Sequence, residues 1–329
     1  MRILSRSDVQ SALPMGECII VMKRAYLAVV NGSADVPLRT RIQIPKQNAA
    51  CLFMPAYVNQ KENDAISIKI VSLFPGNPNK GLSFIQASVI VLDPATGKTI
   101  AILEGSSLTA IRTGAGSGAA TDLLARSESK VLTIFGSGAQ ARTQLEAICT
   151  VRSIKTVWLY DPDTEKMSIM KSEMKGRNPI PGDIRLAKNP VEAVREADII
   201  CCATTSNTPV FSDEDLKPGV HINAIGSYTP TMQELPSKTM ARALVVVDSK
   251  SASLSESGDL IKPIHEGLFS EQQIYAELGE LVDGQKTGRS TSTQITLFKS
   301  VGLGAQDALA AQLALINAEK LNLGIVMDF

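Results

Sequence analysis

The apolar positions of this chain change their spacing twice along its length. After Ser7-Asp8-Val9, which reads as a helix cap, a helical amphipathic pattern runs through Leu27-Ala28-Val29-Val30. The period then shortens to two. Residues 37–45 alternate as a strand, which sets Arg39 and Arg41 on one face because side chains i and i+2 share a side. Residues 52–57 and 65–71 read as further strands, and residues 88–93 and 99–104 flank Pro94-Ala95-Thr96-Gly97-Lys98 as a hairpin. A helix rich in small residues follows from Ser107 towards Leu124. Its three glycines, Gly114, Gly116 and Gly118, weaken a helix and ask for a compensating close contact.

From residue 131 the pattern changes again, to short apolar runs alternating with helical segments. Strands are expected at 131–135, 157–160, 184–187, 199–203, 222–226 and 244–248, and helices at 139–149, 163–174 and 191–197. Such alternation predicts an α/β fold with a doubly wound parallel sheet. The polar stretch 287–293 reads as a loop, and 295–298 as a strand. A last helix, 304–321, places Leu309, Leu313 and Ile316 on one face and is expected to pack back on the N-terminal part. The reading is of two domains: residues 1–117 with 303–329 as a second, α+β domain, and residues 118–302 as the doubly wound one.

One stretch carries a chemical signal. Val131-Leu132-Thr133-Ile134-Phe135 is a buried strand, and Gly136-Ser137-Gly138-Ala139-Gln140-Ala141 is a glycine turn that opens a helix. This is G-x-G-x-x-A, with alanine allowing the close helix–strand packing of the third position. The turn aims helix N–H groups at an anion, naturally a dinucleotide pyrophosphate. Gly136, Ser137, Gly138, Ala139 and Gln140 are therefore candidate cofactor contacts. A second strand ends at Asp161, about 20 residues beyond the glycines, where an acid binds the ribose hydroxyls. Asp161 repels a 2′-phosphate, so NAD(H) is preferred, with NADP(H) still admitted. The competing reading is that Asp161-Pro162-Asp163 caps the next helix. Ligands in such sheets sit at the carboxyl ends of strands, which adds Thr204, Gly226 and Ser227.

Composition narrows the field. Net charge is zero, so there is no footprint for nucleic acid, and no apolar run reaches membrane-spanning length. The N-terminus lacks a signal-peptide core, and the five cysteines are odd in number and scattered. A reducing cytoplasm suits them better than a disulfide framework. Cys201-Cys202 reads as buried strand. With only two histidines, His221 and His265, no metal site is expected. Two cations stand out. Lys69 interrupts an apolar run, either as an edge-strand lysine that snorkels outward or as a cation held at a carboxylate site. Arg112, on the small-residue helix, is either a buried salt-bridge partner or a carboxylate binder.

In order, the chain shows Pro37-Leu38-Arg39-Thr40, Met54-Pro55-Ala56-Tyr57, Ile68-Lys69-Ile70-Val71, Leu103-Glu104-Gly105, Leu108-Thr109-Ala110-Ile111-Arg112-Thr113, the glycine turn, Asn223-Ala224-Ile225-Gly226, Glu277-Leu278-Gly279-Glu280 and Phe298-Lys299-Ser300-Val301-Gly302. Over nearly its whole length it resembles the ornithine cyclodeaminase/mu-crystallin family of NAD(P)-dependent proteins. The resemblance implies a Rossmann domain and a second domain that dimerises through its sheet, with a small imino- or amino-acid substrate between the domains. It implies that Arg39 or Arg41, Lys69 and Arg112 hold the substrate carboxylate, that Lys69 is catalytic, and that Thr113, Ile225 and Lys299 join the cofactor contacts.

The departure from the family pattern lies after Gly226. The cyclodeaminases and the related archaeal alanine dehydrogenases carry an aspartate two residues on, where this chain has Tyr228. A phenol with a pKa near 10 is a poor base at neutral pH. Ser227-Tyr228-Thr229-Pro230 instead resembles the branch that reduces cyclic ketimines such as 1-pyrroline-2-carboxylate, or its six-membered analogue. That chemistry asks for orientation and charge complementarity more than for a strong base, and Tyr228 joins the substrate candidates. Ornithine cyclodeamination or alanine dehydrogenation would need an aspartate from elsewhere, such as Asp259, which is better read as a helix cap. A non-catalytic, dinucleotide-dependent ligand carrier is the reading from a different class.

Overall fold

Ser5, not Ser7, opens the first helix. The Asp8 backbone N–H donates to its hydroxyl and the Asp8 carboxylate accepts the Ser5 N–H at 2.9 Å, a reciprocal cap. Strand β1 (Arg2–Leu4) precedes α1 (Arg6–Ala12), and Pro14 separates α1 from α2 (Met15–Val30). One helical pattern thus becomes two helices, because proline lacks the N–H that would continue the first and is pre-set to start the second. The computed structural model describes residues 1–61 and 63–328. They form two compact units, Met1–Arg112 with Leu303 onward, and Thr113–Gly302.

In the first unit the chain continues through β2 (Ala34–Asp35), β3 (Thr40–Ile44), β4 (Ala49–Val58), β5 (Ala65–Leu73), β6 (Ile85–Leu92) and β7 (Thr99–Glu104). The sheet runs β16-β1-β7-β6-β5-β4-β2 with β3 also on β4, β16 being Ile325–Val326. The expected hairpin β6–β7 forms, and the Asp93 carboxylate accepts the N–H groups of Ala95 and Thr96 in its turn. The strand expected over 37–45 is shorter, starting only at Thr40. Thr40, opposite Phe53, is the first residue of β3 in register with β4. Arg39 therefore lies outside the strand. Arg41 lies within it and is exposed.

The edge-strand reading of Lys69 is overturned, because β5 lies between β4 and β6 and Lys69 is 1% exposed. Ala65, Ser67, Lys69, Val71 and Leu73 share the buried face. That face is covered by α11 (Gly304–Lys320), which returns to pack on α2, β4 and β5 as expected. The face of α11 differs from the expected one. Ile316 is 42% exposed, while the buried stripe is Ala305, Ala308, Ala311, Ala314 and Ala318 with Leu309. Alanines allow the helix to approach the sheet closely where leucines would hold it off.

Helix α3 (Gly105–Leu124) starts where the Glu104 carboxylate accepts the N–H groups of Ser106 and Ser107, both at 2.9 Å, and carries the chain into the second unit. There follow β8 (Val131–Phe135), α4 (Ala139–Val151), β9 (Thr156–Tyr160), α5 (Thr164–Met174), β10 (Asp183–Leu186), α6 (Pro190–Val194) and β11 (Ile199–Cys202). The chain goes on through β12 (His221–Ala224), α7 (Ser237–Arg242), β13 (Leu244–Val247), α8 (Lys250–Glu256), α9 (Gly258–His265), β14 (Ile274–Glu277), α10 (Leu278–Val282) and β15 (Thr296–Lys299). The sheet order is β10-β9-β8-β11-β12-β15-β13-β14, parallel throughout. Strand β14, at the edge, carries no signal long enough to be read in advance. Phe135, Ile200, Ile222, Val245 and Leu297 lie in one buried cluster, and Cys201-Cys202 is buried strand as expected.

Gly114 explains part of the glycine content of α3. A Cβ there would lie 2.5 Å from the Thr143 carbonyl oxygen of α4. Gly114→Val is expected to destabilise the protein by about 2 kcal/mol through overpacking, lowering the thermal unfolding midpoint by several degrees in a calorimetric scan.

Candidate active site

In the second unit the sheet changes winding direction between β8 and β11, the place where such sheets take ligands. Gly136 turns the chain out of β8 with φ +98°, and a Cβ there would meet the Ala203 carbonyl oxygen at 2.5 Å. Its N–H donates to the Tyr160 carbonyl of the neighbouring strand end at 2.9 Å. Gly138 is the N-cap of α4, and no side chain caps that helix. Arg142 donates to the carbonyls of Ser137 (2.7 Å) and Gly138 (3.0 Å) and pairs with Glu173. The carbonyls of the turn are thus engaged from one side by a cation.

Several features of this turn fit a dinucleotide pyrophosphate. The buried Ser137 hydroxyl and Gln140 Oε1 have no hydrogen-bond partner among the described residues. A Cβ on Gly138 would find nothing within 4 Å, so the turn has open space beside an uncapped helix start. Ala139 is the first residue of that helix. Asp161 follows β9 and is half-buried, its carboxylate accepting the Asp163 N–H at 2.9 Å. The cap of α5 is Asp163, which accepts the N–H groups of Glu165 and Lys166, so Asp161 is not the capping residue.

The other strand-end loops are pinned by a residue the sequence reading did not single out. The fully buried Glu234 carboxylate accepts the N–H groups of Thr204 (2.6 Å), Gly226 (2.6 Å) and Ser227 (3.0 Å). Ile225 is tied by its N–H to the Cys202 carbonyl. Asp259 in turn accepts the N–H groups of Glu234 (2.7 Å) and Leu235 (3.0 Å) and pairs with Lys299 at 3.1 Å. Burial and the neighbouring Asp259 push Glu234 up to about 7. Lys299 sits in this network, wholly buried, with its ammonium on Asp259. The Asp259 carboxylate is committed to that ammonium and to two backbone donors. Thr113, the first residue of the second unit, and Tyr228, in the loop after β12, are both half-buried.

The first unit supplies the cations. Lys69 Nζ lies 2.7 Å from Asp307 Oδ2, and Arg112 Nε lies 2.9 Å from Asp307 Oδ1, with all three side chains at most 5% exposed. The Gln306 side-chain oxygen accepts Arg112 Nη1 at 3.2 Å, and its amide nitrogen donates to the Tyr26 hydroxyl at 2.9 Å. Burial and the Arg112 charge bring the Lys69 ammonium down to about 7, against the opposing pull of Asp307. Burial alone would raise Asp307, but Arg112 and Lys69 hold it below the usual carboxylate value. Half-buried Arg39 adds its positive charge at Lys69. Arg41 lies on β3 and is exposed.

Asp307 and Gln306 were missed from sequence. The available signal was an acid three and four residues before Ala310 and Ala311, in the first turn of a helix rich in small and apolar residues. An acid there lies on the stripe that must face the sheet. Arg112 is thus a buried salt-bridge partner, and the carboxylate at which Lys69 is held is one the chain itself supplies, Asp307.

The family model of the ornithine cyclodeaminase/mu-crystallin family matches residues 1–321. The Delta(1)-pyrroline-2-carboxylate reductase of Bacillus cereus is 42% identical over 333 aligned positions, covering all of both chains. The solved Delta(1)-pyrroline-2-carboxylate reductase of Thermococcus litoralis, in complex with NADH and L-proline, is 43% identical with a TM-score of 0.94, covering 99% of this chain and all of that one. An archaeal alanine dehydrogenase, a dimer with bound NAD, is 32% identical with a TM-score of 0.92, covering 100% of this chain and 99% of that one.

Removing the shared carboxylate leaves two buried cations unpaired. Asp307→Asn is expected to cost about 3–5 kcal/mol of stability, read as a lower midpoint in urea unfolding, and adding Lys69→Met should restore part of it.

Proposed function

From the premise that the chain belongs to the ornithine cyclodeaminase/mu-crystallin family, we propose that it is an NADH-dependent oxidoreductase that reduces a cyclic ketimine, 1-pyrroline-2-carboxylate, to L-proline. The six-membered analogue is a second candidate substrate. The observation that carries the reading is the end-to-end similarity to reductases of this substrate, one of them solved with NADH and L-proline. Ornithine cyclodeamination and alanine dehydrogenation are not favoured. Tyr228 stands where those reactions use a carboxylate, and Asp259 is held by Lys299.

A bound NADH supplies a hydride for the imine carbon. Gly136, Ser137, Gly138, Ala139 and Gln140 would hold its pyrophosphate, and Asp161 its ribose hydroxyls, with NADPH disfavoured by the Asp161 charge. Thr204, Ile225, Gly226 and Ser227 are held by Glu234 and the strand ends for the remainder of the cofactor. Thr113 remains in the proposed contact set. Lys299 we assign to support of these loops through Asp259. Arg112 and Arg39 would hold the substrate carboxylate as fork donors, and Lys69 would give a proton to the imine nitrogen, its pKa near 7 suiting a general acid at neutral pH. Tyr228 remains in the proposed substrate contact set.

We further propose a homodimer joined through the open face of the first sheet. Phe53, Ile66, Ile68, Ile70, Ile90 and Ile102 form that face and are only half-buried. A contiguous apolar face of this kind marks an interface, and the related alanine dehydrogenase is a dimer. No helix among the described residues is long and apolar enough to cross a membrane, and the cysteines are all free thiols. A reducing cytoplasm is the compartment we propose.

The test is NADH oxidation followed by absorbance with 1-pyrroline-2-carboxylate, alongside ornithine with NAD and pyruvate with ammonia. Turnover of the imine alone is expected. Lys69→Ala should lower kcat at least about 100-fold while leaving NADH binding intact, whereas a ligand carrier would have no turnover to lose. Turnover of ornithine would overturn the reading. In sedimentation velocity the protein is expected to run as a dimer, and Ile68→Glu as a monomer.

A further inference from the structure

Two buried cations share one carboxylate. Lys69 and Arg112 both pair with Asp307, at 2.7 and 2.9 Å, and Gln306, which also accepts from Arg112, is neutral. A guanidinium is a permanent cation, so the Asp307 charge is already balanced when Lys69 is a neutral amine. A protonated Lys69 leaves the cluster with one excess positive charge in a place shut off from water, an unfavourable state. An arriving substrate carboxylate changes that balance by one unit. We propose that entry of the substrate carboxylate draws a proton from solvent onto Lys69, so that the substrate charges its own proton donor. This rests on the reading above that the cluster binds a carboxylate.

The surroundings of Lys69 agree from every element packed against it. From α3 comes Arg112, from α11 Asp307, and from the segment before β3 Arg39. Around its partners rather than Lys69 itself, the Cys18 thiol of α2 lies near Arg112, burial pushing it up to about 12, and the Tyr26 hydroxyl accepts from Gln306. The flanking residues in register on β4 and β6 are Met54 and Val89, both apolar. Asp307 is thus the single anion paired with Lys69 among the described residues. An opposite charge brought within about 6 Å shifts proton affinity by about 10- to 1,000-fold. Since the Lys69 ammonium loses its proton near 7 before substrate arrives, that is enough to recharge it at pH 8. The proton then passes to the imine nitrogen as a hydride, one proton with two electrons, would pass from NADH to the carbon and leave NAD+. The C=N π bond is lost, an N–H and a C–H bond form, and Lys69 returns to the neutral amine.

The experiment is calorimetric titration of the NADH-loaded enzyme with pyrrole-2-carboxylate, a planar analogue that hydride cannot reduce. It is run at pH 6, 7 and 8 in pairs of buffers with different ionisation enthalpies, which counts protons exchanged on binding. The expected result is uptake approaching about one proton at pH 8, falling towards zero at pH 6 where Lys69 is already charged. In Lys69→Arg, whose charge is permanent, binding should persist and the uptake at pH 8 should vanish. Binding without uptake at pH 8, or uptake unchanged in Lys69→Arg, would overturn the proposal and leave the carboxylate site standing. Failure of the analogue to bind at any pH would overturn both.

Discussion

The fold of the first unit is governed by the need to accommodate two cations in an apolar interior. Lys69 points from a central strand onto the buried face of its sheet, and Arg112 ends the part of α3 that belongs to the same unit. Neither could be buried in its charged form without an anion, since an unpaired interior charge costs several kcal/mol. The anion comes from Asp307, almost two hundred residues after Arg112. The last helix must therefore return to the first sheet, and its alanine stripe lets it lie close enough for a 2.7 Å ion pair. Packing and electrostatics make the same demand: a small-residue helix here, in this register.

The second unit solves a related problem with a different carboxylate. Loops at the carboxyl ends of parallel strands leave backbone donors unsatisfied and are free to wander. Glu234 gathers three of those donors from two loops, and Asp259 fixes the backbone of Glu234 itself. Lys299, at the end of β15, supplies the counter-charge from below. The loops are thus pre-formed, and a ligand meeting them does not have to order them first. The glycine turn is ordered by the same means with the sign reversed, because Arg142 collects its carbonyls.

The two carboxylate-centred clusters differ in what they leave over. Around Glu234 and Asp259 there is one cation for two acids, and Glu234 is pushed up by burial and by Asp259. Around Asp307 there are two cations for one acid, and Lys69 is pushed down. A site of the second kind suits an anionic substrate whose nitrogen must gain a proton. It gives little help to a reaction that needs a strong base, in keeping with a tyrosine, rather than an aspartate, two residues after Gly226.

Sequence alone determined the parts governed by local rules. The glycine turn, the alternation of strands and helices from β8 onward, the β6–β7 hairpin and the returning last helix all follow from spacing, turn residues and apolar period. Lys69 and Arg112 stood out because a charge in an apolar run is a local anomaly. Tertiary structure alone decided who answers those charges. Asp307 and Glu234 are single acids in stretches with no motif of their own, and pairing depends on which elements pack together. Which strands are central was equally hidden, and with it whether Lys69 snorkels or is buried, because an edge and an interior strand can share one alternating pattern. The face of α11 followed from how closely a helix can approach a sheet, a property of the pair and not of either sequence.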